Sequence, residues 1–573
     1  MPVSNAEIAA IFSQIGDLLE IQGANPFRVR AYRVAARTVG DLARSAAQMV
    51  RDREDLTALP GIGEDLAAKI REAAEHGTVD LLEELRRKMP GELGRLLEVA
   101  GLGPKRVQVL WKQLGITTLQ ELESAAKAGK IRMLPGFGEK TQSAILKDLG
   151  RVAVAAGRTL RPVADEAARL LLRHLGAVRG VTCLDVAGSF RRAKETVGDL
   201  DVLAAGEDPG ALIEAFVGYD GVERVTAHGE TKASAVLRSG LQVDLRVIPA
   251  ESYGAALHYF TGSKAHNIAV RTLGVKKGLK INEYGIFRGS RRIGGAKEED
   301  VFRAVGLPFI PPELREDRGE IDAARAGALP RLVELGQIRG DLHAHTSRSD
   351  GQATLEEMVE AACARGYEYL AITEHSRRVT VARGLDAAAL RRRNKEIDRL
   401  NARLKGFVVL KGIECDILED GSLDLPDAVL AELDVVVAAV HSKFNLPRKK
   451  QTERIVRALD HPQVRILAHP SGRLINERDA YEVDIERIVA AAAERGRILE
   501  LDAHPQRLDL DDVHCRLAKG HGVKVAISTD AHATEHLDFM RYGVGQARRG
   551  WLEAGDVVNT LGLAALRRIL KGR

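Results

Sequence analysis

The sequence predicts a multidomain protein: α-helical helix-hairpin-helix N-terminal domains, a central α+β region and a C-terminal (β/α)7 barrel. Three observations carry this expectation. An apolar residue followed by Gly-x-Gly and an amphipathic stretch occurs three times in the first 150 residues. Two alternating apolar runs near the centre carry aspartates at period-two spacing. Seven short apolar runs in the last 236 residues (338–573) each end in His, Asp or Glu, most of them separated by amphipathic stretches.

The bulk numbers agree with several folded units. A chain of 573 residues corresponds to roughly four domains. Hydrophobic residues make up 45% and charged residues 29%, as in globular proteins. The start, MPVSNAEIAA, lacks the basic and apolar regions of a signal peptide, and no run of eighteen apolar residues predicts a membrane span. Cys183, Cys363, Cys415 and Cys515 form no CxxC and read as reduced thiols of a cytoplasmic protein. A net charge of +5 is compatible with nucleic acid but too small to argue for it.

The three N-terminal repeats are LPGIGEDLAAKI (Leu59–Ile70), VAGLGPKRVQVLW (Val99–Trp111) and LPGFGEKTQSAIL (Leu134–Leu146). Their glycines, Gly61 and Gly63, Gly101 and Gly103, Gly136 and Gly138, permit a tight turn. Such a turn exposes amide groups at a helix start, where a phosphate binds. Hairpins of this kind hold the DNA backbone without reading sequence. Upstream, NPFRVRAYRVAARTV carries Arg28, Arg30 and Arg33 around Tyr32, a charged helix face or a further phosphate contact.

In the centre, AGSFRRAKETVGDLDVLAA ends a polar loop in a strand. Asp199 and Asp201 are two apart and share one face. In LQVDLRVI, Leu241, Val243, Leu245 and Val247 take one face, and Gln242, Asp244 and Arg246 the other. Three aspartates from neighbouring strands would hold two divalent cations for phosphoryl transfer, and hard oxygen ligands suit Mg2+ or Mn2+.

This region resembles the family X DNA polymerases, the group of DNA polymerase beta. The matching motifs are GSFRR (188–192), GDLDVL (198–203), VDLRVIP (243–249), YFTGS (259–263) and INEYGI (281–286). The resemblance implies an α+β nucleotidyltransferase palm over 158–250 and a thumb over 251–316, with Asp199, Asp201 and Asp244 as catalytic metal-binding carboxylates. It implies that Gly188, Ser189, Arg192 and Gly198 form the triphosphate side of the nucleotide site. Tyr259, Phe260 and Gly262 would line the sugar pocket, Asn267 would face the base and Arg271 the template side. Lys264 stands where vertebrate members carry an acid, and its charge suits the incoming triphosphate. Residues 1–88 resemble the family's lyase domain, with Lys69 at the Schiff-base position, and 89–157 form a second helical DNA-binding domain. Phe27 and Asp65, however, replace basic residues of the family's lyases, and an acid near Lys69 opposes the depressed pKa a lysine nucleophile needs.

The stretch GLPFIPPELREDRGEIDAARAGALP is proline-rich, then charged and alanine-rich, and 317–337 read as a linker with a short helix. From residue 338 the seven runs are GDLHAH, YLAITEH, VVLKGIECDI, DVVVAAVHS, VRILAHP, RILELDAH and VKVAISTDAH. Barrel enzymes build their sites from the C-terminal ends of strands, so these endings predict one ligand cluster at one mouth.

Residues 338–573 resemble the PHP (polymerase and histidinol phosphatase) superfamily, on the HxH opening, TEHS, GIECDI, AAVHS, LAHPSGRLI and STDAH. The resemblance implies nine ligands for up to three metal ions: His343, His345, Asp350, His375, Glu414, His441, His469, Asp530 and His532. His504 and Arg507 stand outside that set, either behind the ligands or against substrate. Six histidines with three carboxylates favour Mn2+, Zn2+ or Fe over Mg2+. The implied function is DNA synthesis in short gaps with deoxynucleoside triphosphates, joined to a metal-dependent 3′→5′ exonuclease. Abasic-site endonuclease and 3′-phosphatase activities remain open, because one attack on phosphorus serves all three. A small-molecule phosphatase and a non-catalytic DNA-end scaffold are the alternatives. Expected partners are gapped or primed double-stranded DNA and no membrane, with the protein a cytoplasmic monomer.

Overall fold

The structure, a computed structural model, describes all residues except 1–2, 4, 41, 43–45, 89–92, 94–95, 97–98, 100–101, 103, 135–136, 140, 144, 146–157, 477 and 572–573. It divides into two compact units, Met1–Gly157 and Arg158–Arg573. Among the described residues no helix is long and apolar enough to cross a membrane.

The first unit is helical. Helices Asn5–Gln22, Pro26–Gly40, Glu64–His76, Pro104–Leu114 and Leu119–Lys127 bury apolar stripes in a shared core that includes Phe12, Ile15, Tyr32, Ile70, Leu110 and Leu122. The three repeats make the same turn: Ile62 N–H donates to Leu59 O, Leu102 N–H to Val99 O and Phe137 N–H to Leu134 O, at 3.1, 3.0 and 3.0 Å. Gly61 has φ +75°, and a Cβ there would lie 2.5 Å from Val34 Cγ1, so both backbone and space require glycine. Gly63 caps the helix Glu64–His76 without a side-chain hydrogen bond, leaving its first amides open. Gly138 occupies the equivalent place, accepting from Gln142 N–H at 2.9 Å as Gly63 accepts from Ala67 N–H at 2.9 Å. Gly101, Gly103 and Gly136 lie outside the described residues.

The second unit begins with β1 (Thr159–Leu160), β2 (Val181–Val186), β3 (Thr196–Val197), β4 (Asp199–Gly206), β5 (Val222–His228), β6 (Lys232–Leu237) and β7 (Gln242–Val247). Five of them form a sheet in the order β2-β4-β7-β6-β5. The alternation expected for β7 is present: Val243, Leu245 and Val247 are buried beside Leu200, Val202 and Ala204 of β4. Helices Arg161–Gly176 and Pro209–Val217 supply the facing apolar residues Leu171, Leu175, Leu212 and Phe216. The opposite face of β4 is apolar at Leu203 and Ala205, packed with Tyr253 and Ala256, and acidic at its start. A small antiparallel sheet of β8 (Lys280–Asn282), β9 (Gly285–Arg288) and β10 (Arg291–Gly294) follows, with helices Lys264–Lys276 and Glu298–Val305.

The barrel strands are β11 (Gly340–Ala344), β12 (Tyr369–Ile372), β13 (Val408–Asp416), β14 (Val435–Ala439), β15 (Val464–Leu467), β16 (Ile498–Asp502) and β17 (Val525–Ser528). They pair in that order, every pair parallel. A parallel bridge between Ala344 and Ala531 brings the last strand back to the first. Each of the seven runs expected as a strand is one, and amphipathic stretches between them are helices, among them Leu355–Ala364 and Ile485–Arg495. Their N-caps, Thr354 with Glu357 in a capping box and Asp484 on Arg487 N–H, satisfy amides that would otherwise be open.

Residues 317–337, expected as a linker, are packed rather than extended. Ile321, Ala324 and Leu332 share an apolar cluster with Phe302 and the barrel's Trp551. Buried Glu320 meets His266 at 2.6 Å, and Arg318 meets Asp512 at 2.9 Å. Two of the charges that make this stretch look like a spacer, Arg318 and Glu320, meet partners far away in the chain.

Candidate functional site

Strands β4 and β7 run parallel with Asp201 directly opposite Asp244. Asp199, two residues along, faces the same way. One oxygen from each of the three carboxylates lies within 4.8 Å of the others. Burial and the neighbouring Asp199 and Asp244 push the Asp201 pKa up to about 6, and burial with Asp244 raises that of Asp199. Three acids that repel each other in a half-buried patch fit a divalent cation, which would relieve the repulsion through hard oxygen donors. The Ser234 hydroxyl on β6 donates to Asp244, a support that the sequence reading did not include. Gly188 has φ +63°, and a Cβ there would meet Asp201 Oδ2 at 2.5 Å. Glycine lets the GSFRR turn press against the carboxylates.

These acids open onto a cavity of about 950 Å³. Of the residues expected to bind nucleotide, Gly188, Ser189, Arg192, Tyr259, Phe260, Gly262, Lys264, Asn267 and Arg271 line it, together with Asp199 and Asp201. Gly198 and Asp244 are not part of its lining. Tyr259 and Phe260 meet edge to face at 5.1 Å, and the Arg246 guanidinium stacks on Phe260 at 4.6 Å. Asn267 Nδ2 donates to Tyr259 O at 2.6 Å. The far wall comes from the barrel: Arg473, Asp511, Asp512, Gln546 and Arg549. No local sequence signal marks these five for a nucleotide pocket.

The second cluster lies where the barrel strands end. Ligand-type atoms fall into three overlapping groups: His345, Asp350, His375 and His532; His343, His345 and Asp530; and His375, Glu414 and His441. His469 adjoins them, with Nε2 3.0 Å from Glu414 Oε1. The structure thus brings all nine residues together. Nε2 of His343, both ring nitrogens of His345, Nδ1 of His375, His441 and His469, Oε2 of Glu414 and Oδ1 of Asp530 are buried without a hydrogen-bond partner. Buried lone pairs left open are costly, and a cation satisfies them. The residues present therefore fit metal ions.

A further set of acids holds these ligands, and the sequence reading passed over them. Glu500 Oε1 meets His343 Nδ1 at 2.8 Å. A carboxylate only accepts, so Nδ1 carries the proton and Nε2 is left for a metal. Glu500 Oε2 also accepts from His469 N–H at 2.9 Å, Asp416 from His441 N–H at 3.1 Å, and Asp341 from His343 N–H at 3.2 Å. Each stands in a strand string that also carries a ligand or a terminal histidine, which is the signal that would have found it. Burial opposes the imidazolium at His375 and His532. Glu414 and Asp350 nevertheless raise His375 to about 10, and Asp350 and Asp530 raise His532 to about 9. Burial also disfavours the Glu414 anion, yet His441, His375 and His343 hold its pKa well below the usual range. Arg507 reaches Asp502 at 3.2 Å and Asp530 at 3.7 Å, whereas the His504 ring packs on Phe539 at 5.1 Å.

In the first unit, Lys69 Nζ sits 2.5 Å from Asp65 one helical turn earlier. Burial lowers the pKa of Lys69, but Asp65 and Tyr32 outweigh it and the net shift is upward. The amine is thus held as ammonium, which is not a nucleophile. Borohydride reduction on an abasic-site duplex is expected to leave the protein unlabelled. Labelling that disappears in Lys69→Ala would establish the opposite.

A pocket lined by carboxylates and cationic side chains and a histidine-rich barrel in one compact unit suit one class, a nucleotidyltransferase carrying a second phosphoesterase centre. Comparison with known proteins then narrows it. Residues 3–79 match the helix-hairpin-helix domain, 93–151 the SAM-like helix-hairpin-helix tandem, 256–316 the DNA polymerase beta thumb and 341–504 the PHP domain. The chain is 40% identical over 571 residues, 99% of both chains, to the DNA polymerase/3'-5' exonuclease PolX of Bacillus subtilis (strain 168). It is 26% identical over 305 residues to DNA polymerase lambda of Rattus norvegicus, covering 47% of this chain and 49% of the relative. A probable phosphatase of Thermoanaerobacter sp. (strain X514) is 30% identical over 205 residues, 34% of this chain and 79% of the relative. The chain belongs to the family X DNA polymerases that carry N-terminal helix-hairpin-helix domains and a C-terminal PHP domain.

Proposed function

We propose that the protein is a DNA polymerase that fills short gaps during DNA repair and carries a 3′→5′ exonuclease in its barrel. The observation that carries this reading is the register Asp201↔Asp244, which gathers three carboxylates, two of them, Asp199 and Asp201, lining a cavity shared with Ser189, Arg192 and Lys264. Asp199, Asp201 and Asp244 hold Mg2+ or Mn2+. Ser189, Arg192 and Lys264 bind the triphosphate, with Gly188 and Gly198 letting backbone approach it. Tyr259, Phe260 and Gly262 receive the sugar, Asn267 the base edge, and Arg271 the template side. Bound cations would activate the attacking hydroxyl and stabilise the leaving oxygen of phosphoryl transfer. The chain's own contribution is to bring primer end and triphosphate together and to aim cationic donors at the phosphates.

At the barrel mouth, His343, His345, Asp350, His375, Glu414, His441, His469, Asp530 and His532 hold up to three Mn2+, Zn2+ or Fe ions. Glu500 fixes the orientation of the His343 imidazole, Asp416 anchors the His441 backbone, and Arg507 stands ready for a phosphate oxygen. Abasic-site incision and 3′-phosphate removal are further reactions open to the same centre. The glycine turns at Gly61, Gly63, Gly101, Gly103, Gly136 and Gly138 hold the backbone of gapped or primed duplex DNA. The protein acts as a monomer in the cytoplasm, on the nucleoid when bound to DNA.

The test is one preparation given two substrates. A one-nucleotide gap with deoxynucleoside triphosphates should be filled, and a 3′-end-labelled primer without triphosphates should be shortened. Chelation should stop both reactions. DNA binding with neither reaction in Mn2+ would mark a scaffold. A barrel that cleaves only small phosphate esters would mark a phosphatase.

A further inference from the structure

The arginine assigned to the triphosphate is held by the thumb, and the thumb residue that holds it is held in turn by the barrel. Arg192 Nε donates to Glu316 Oε1 at 2.9 Å, and Nη1 donates to Thr261 O at 2.5 Å. Nη2 meets no protein acceptor among the described residues, and Arg192 lines the cavity. Glu316 is gripped in turn by the barrel. Arg549 Nη1 donates to the same Oε1 at 2.9 Å and to the backbone oxygen of Arg192 at 2.8 Å. Arg549 Nη2 donates to Asp512 Oδ2 at 2.6 Å, and Asp512 also accepts from Arg318 at 2.9 Å. Arg549 ends the barrel helix Met540–Arg549 and is only 3% exposed. A relay of alternating charges thus runs from the nucleotide pocket into the body of the barrel.

We propose that Glu316 and Arg549 are positioning residues for nucleotide binding, through which the barrel fixes the guanidinium plane of Arg192 and leaves its free edge for the incoming triphosphate. The inference rests on the nucleotide reading of the pocket given above. The geometry says why a barrel residue is needed. A carboxylate and a guanidinium left alone close into a bidentate pair, which would draw a second edge of Arg192 onto Glu316. Arg549 shares the same carboxylate oxygen, and its bond to the Arg192 backbone fixes the distance between the two. Glu316 keeps its charge for this task. Burial disfavours the anion, but Arg549, Lys194 and Arg192 hold its pKa at about 2. An arginine immobilised before binding gives up less conformational freedom when the nucleotide arrives.

The experiment uses the full-length protein with gapped DNA and Mg2+, with triphosphate concentration varied. Arg549→Leu and Glu316→Gln should each raise the KM for triphosphate about tenfold, as loss of one well-placed charged hydrogen bond does. The kcat for incorporation should stay within about twofold, and digestion of a labelled primer should be unchanged. Arg549→Lys, which keeps the charge on Glu316, should recover part of the KM. Arg192→Ala separates this inference from the reading beneath it. If Arg192→Ala raises the KM but Arg549→Leu and Glu316→Gln do not, the positioning role is wrong and the pocket stands. If Arg192→Ala leaves the KM unchanged, the pocket reading itself falls. Parallel loss of synthesis and digestion in Arg549→Leu, with no recovery in Arg549→Lys, would reduce Arg549 to a structural residue and overturn the proposal.

Discussion

Replacing Asp199 and Asp201 together by alanine should abolish gap filling and leave 3′-end digestion intact. The loss should reach about 10³-fold or more, because metal ions supply several kcal/mol of charge stabilisation and each 1.4 kcal/mol is tenfold. The fold should survive. The two side chains make no structural ion pair among the described residues; burial raises the pKa of both, with Asp244 adding to that of Asp199 and Asp199 and Asp244 adding to that of Asp201. Removing them relieves repulsion and uncovers no buried partner, so the melting temperature should hold or rise. Primer extension, primer shortening and a thermal melt on one preparation check all three statements. Retained synthesis in the double variant would remove the palm carboxylates from the mechanism.

The converse is expected of His343→Ala combined with His345→Ala, which should stop digestion by a similar factor and spare synthesis. Here the two side chains differ in what they hold. Neither ring nitrogen of His345 completes a hydrogen bond, and Asp530 approaches Nε2 to 3.1 Å without hydrogen-bond geometry. Its loss removes packing and a metal ligand only. His343 is the partner of buried Glu500 at 2.8 Å, and its truncation leaves Glu500 Oε1 without its partner, the His469 N–H on Oε2 remaining, at a cost of about 1–3 kcal/mol. His345→Ala alone should therefore abolish digestion at nearly unchanged stability, whereas the double variant should also melt earlier. Metal content by elemental analysis supplies a readout independent of activity. Full metal content together with full digestion in His345→Ala would refute the ligand assignment.

Much of this architecture is written in short windows. The two-residue period of LQVDLRVI separates its apolar and polar faces without reference to anything distant, and the structure buries Val243, Leu245 and Val247 as that period requires. The polar ends of the seven barrel runs converge because parallel strands present their C-terminal ends at one mouth. The turns at Leu59, Val99 and Leu134 repeat because each is closed by a hydrogen bond three residues long. The Lys69–Asp65 pair is legible too, since residues four apart on a helix face each other.

The stretch 317–337 shows where such reading stops. Prolines, alanines and charges in sequence describe a spacer, and only the folded chain shows Glu320 against His266 and Arg318 against Asp512. The acids behind the metal ligands are an intermediate case. Glu500 and Asp416 sit in strand strings that also carry an expected ligand or a terminal histidine, but a carboxylate that coordinates and one that supports a ligand look alike until distances separate them.

The sequence by itself marked the three strand aspartates, the polar endings of the seven barrel runs and the glycine turns, each through side-chain type and local period. Tertiary structure alone decided that the barrel forms a wall of the cavity over the palm aspartates and that Arg549 grips Glu316, the support of Arg192, from 233 positions away. The reason is physical. A repeat or a strand face is enforced within a few residues, whereas an ion pair across the chain exists only after packing has brought two distant surfaces into contact and excluded water from between them.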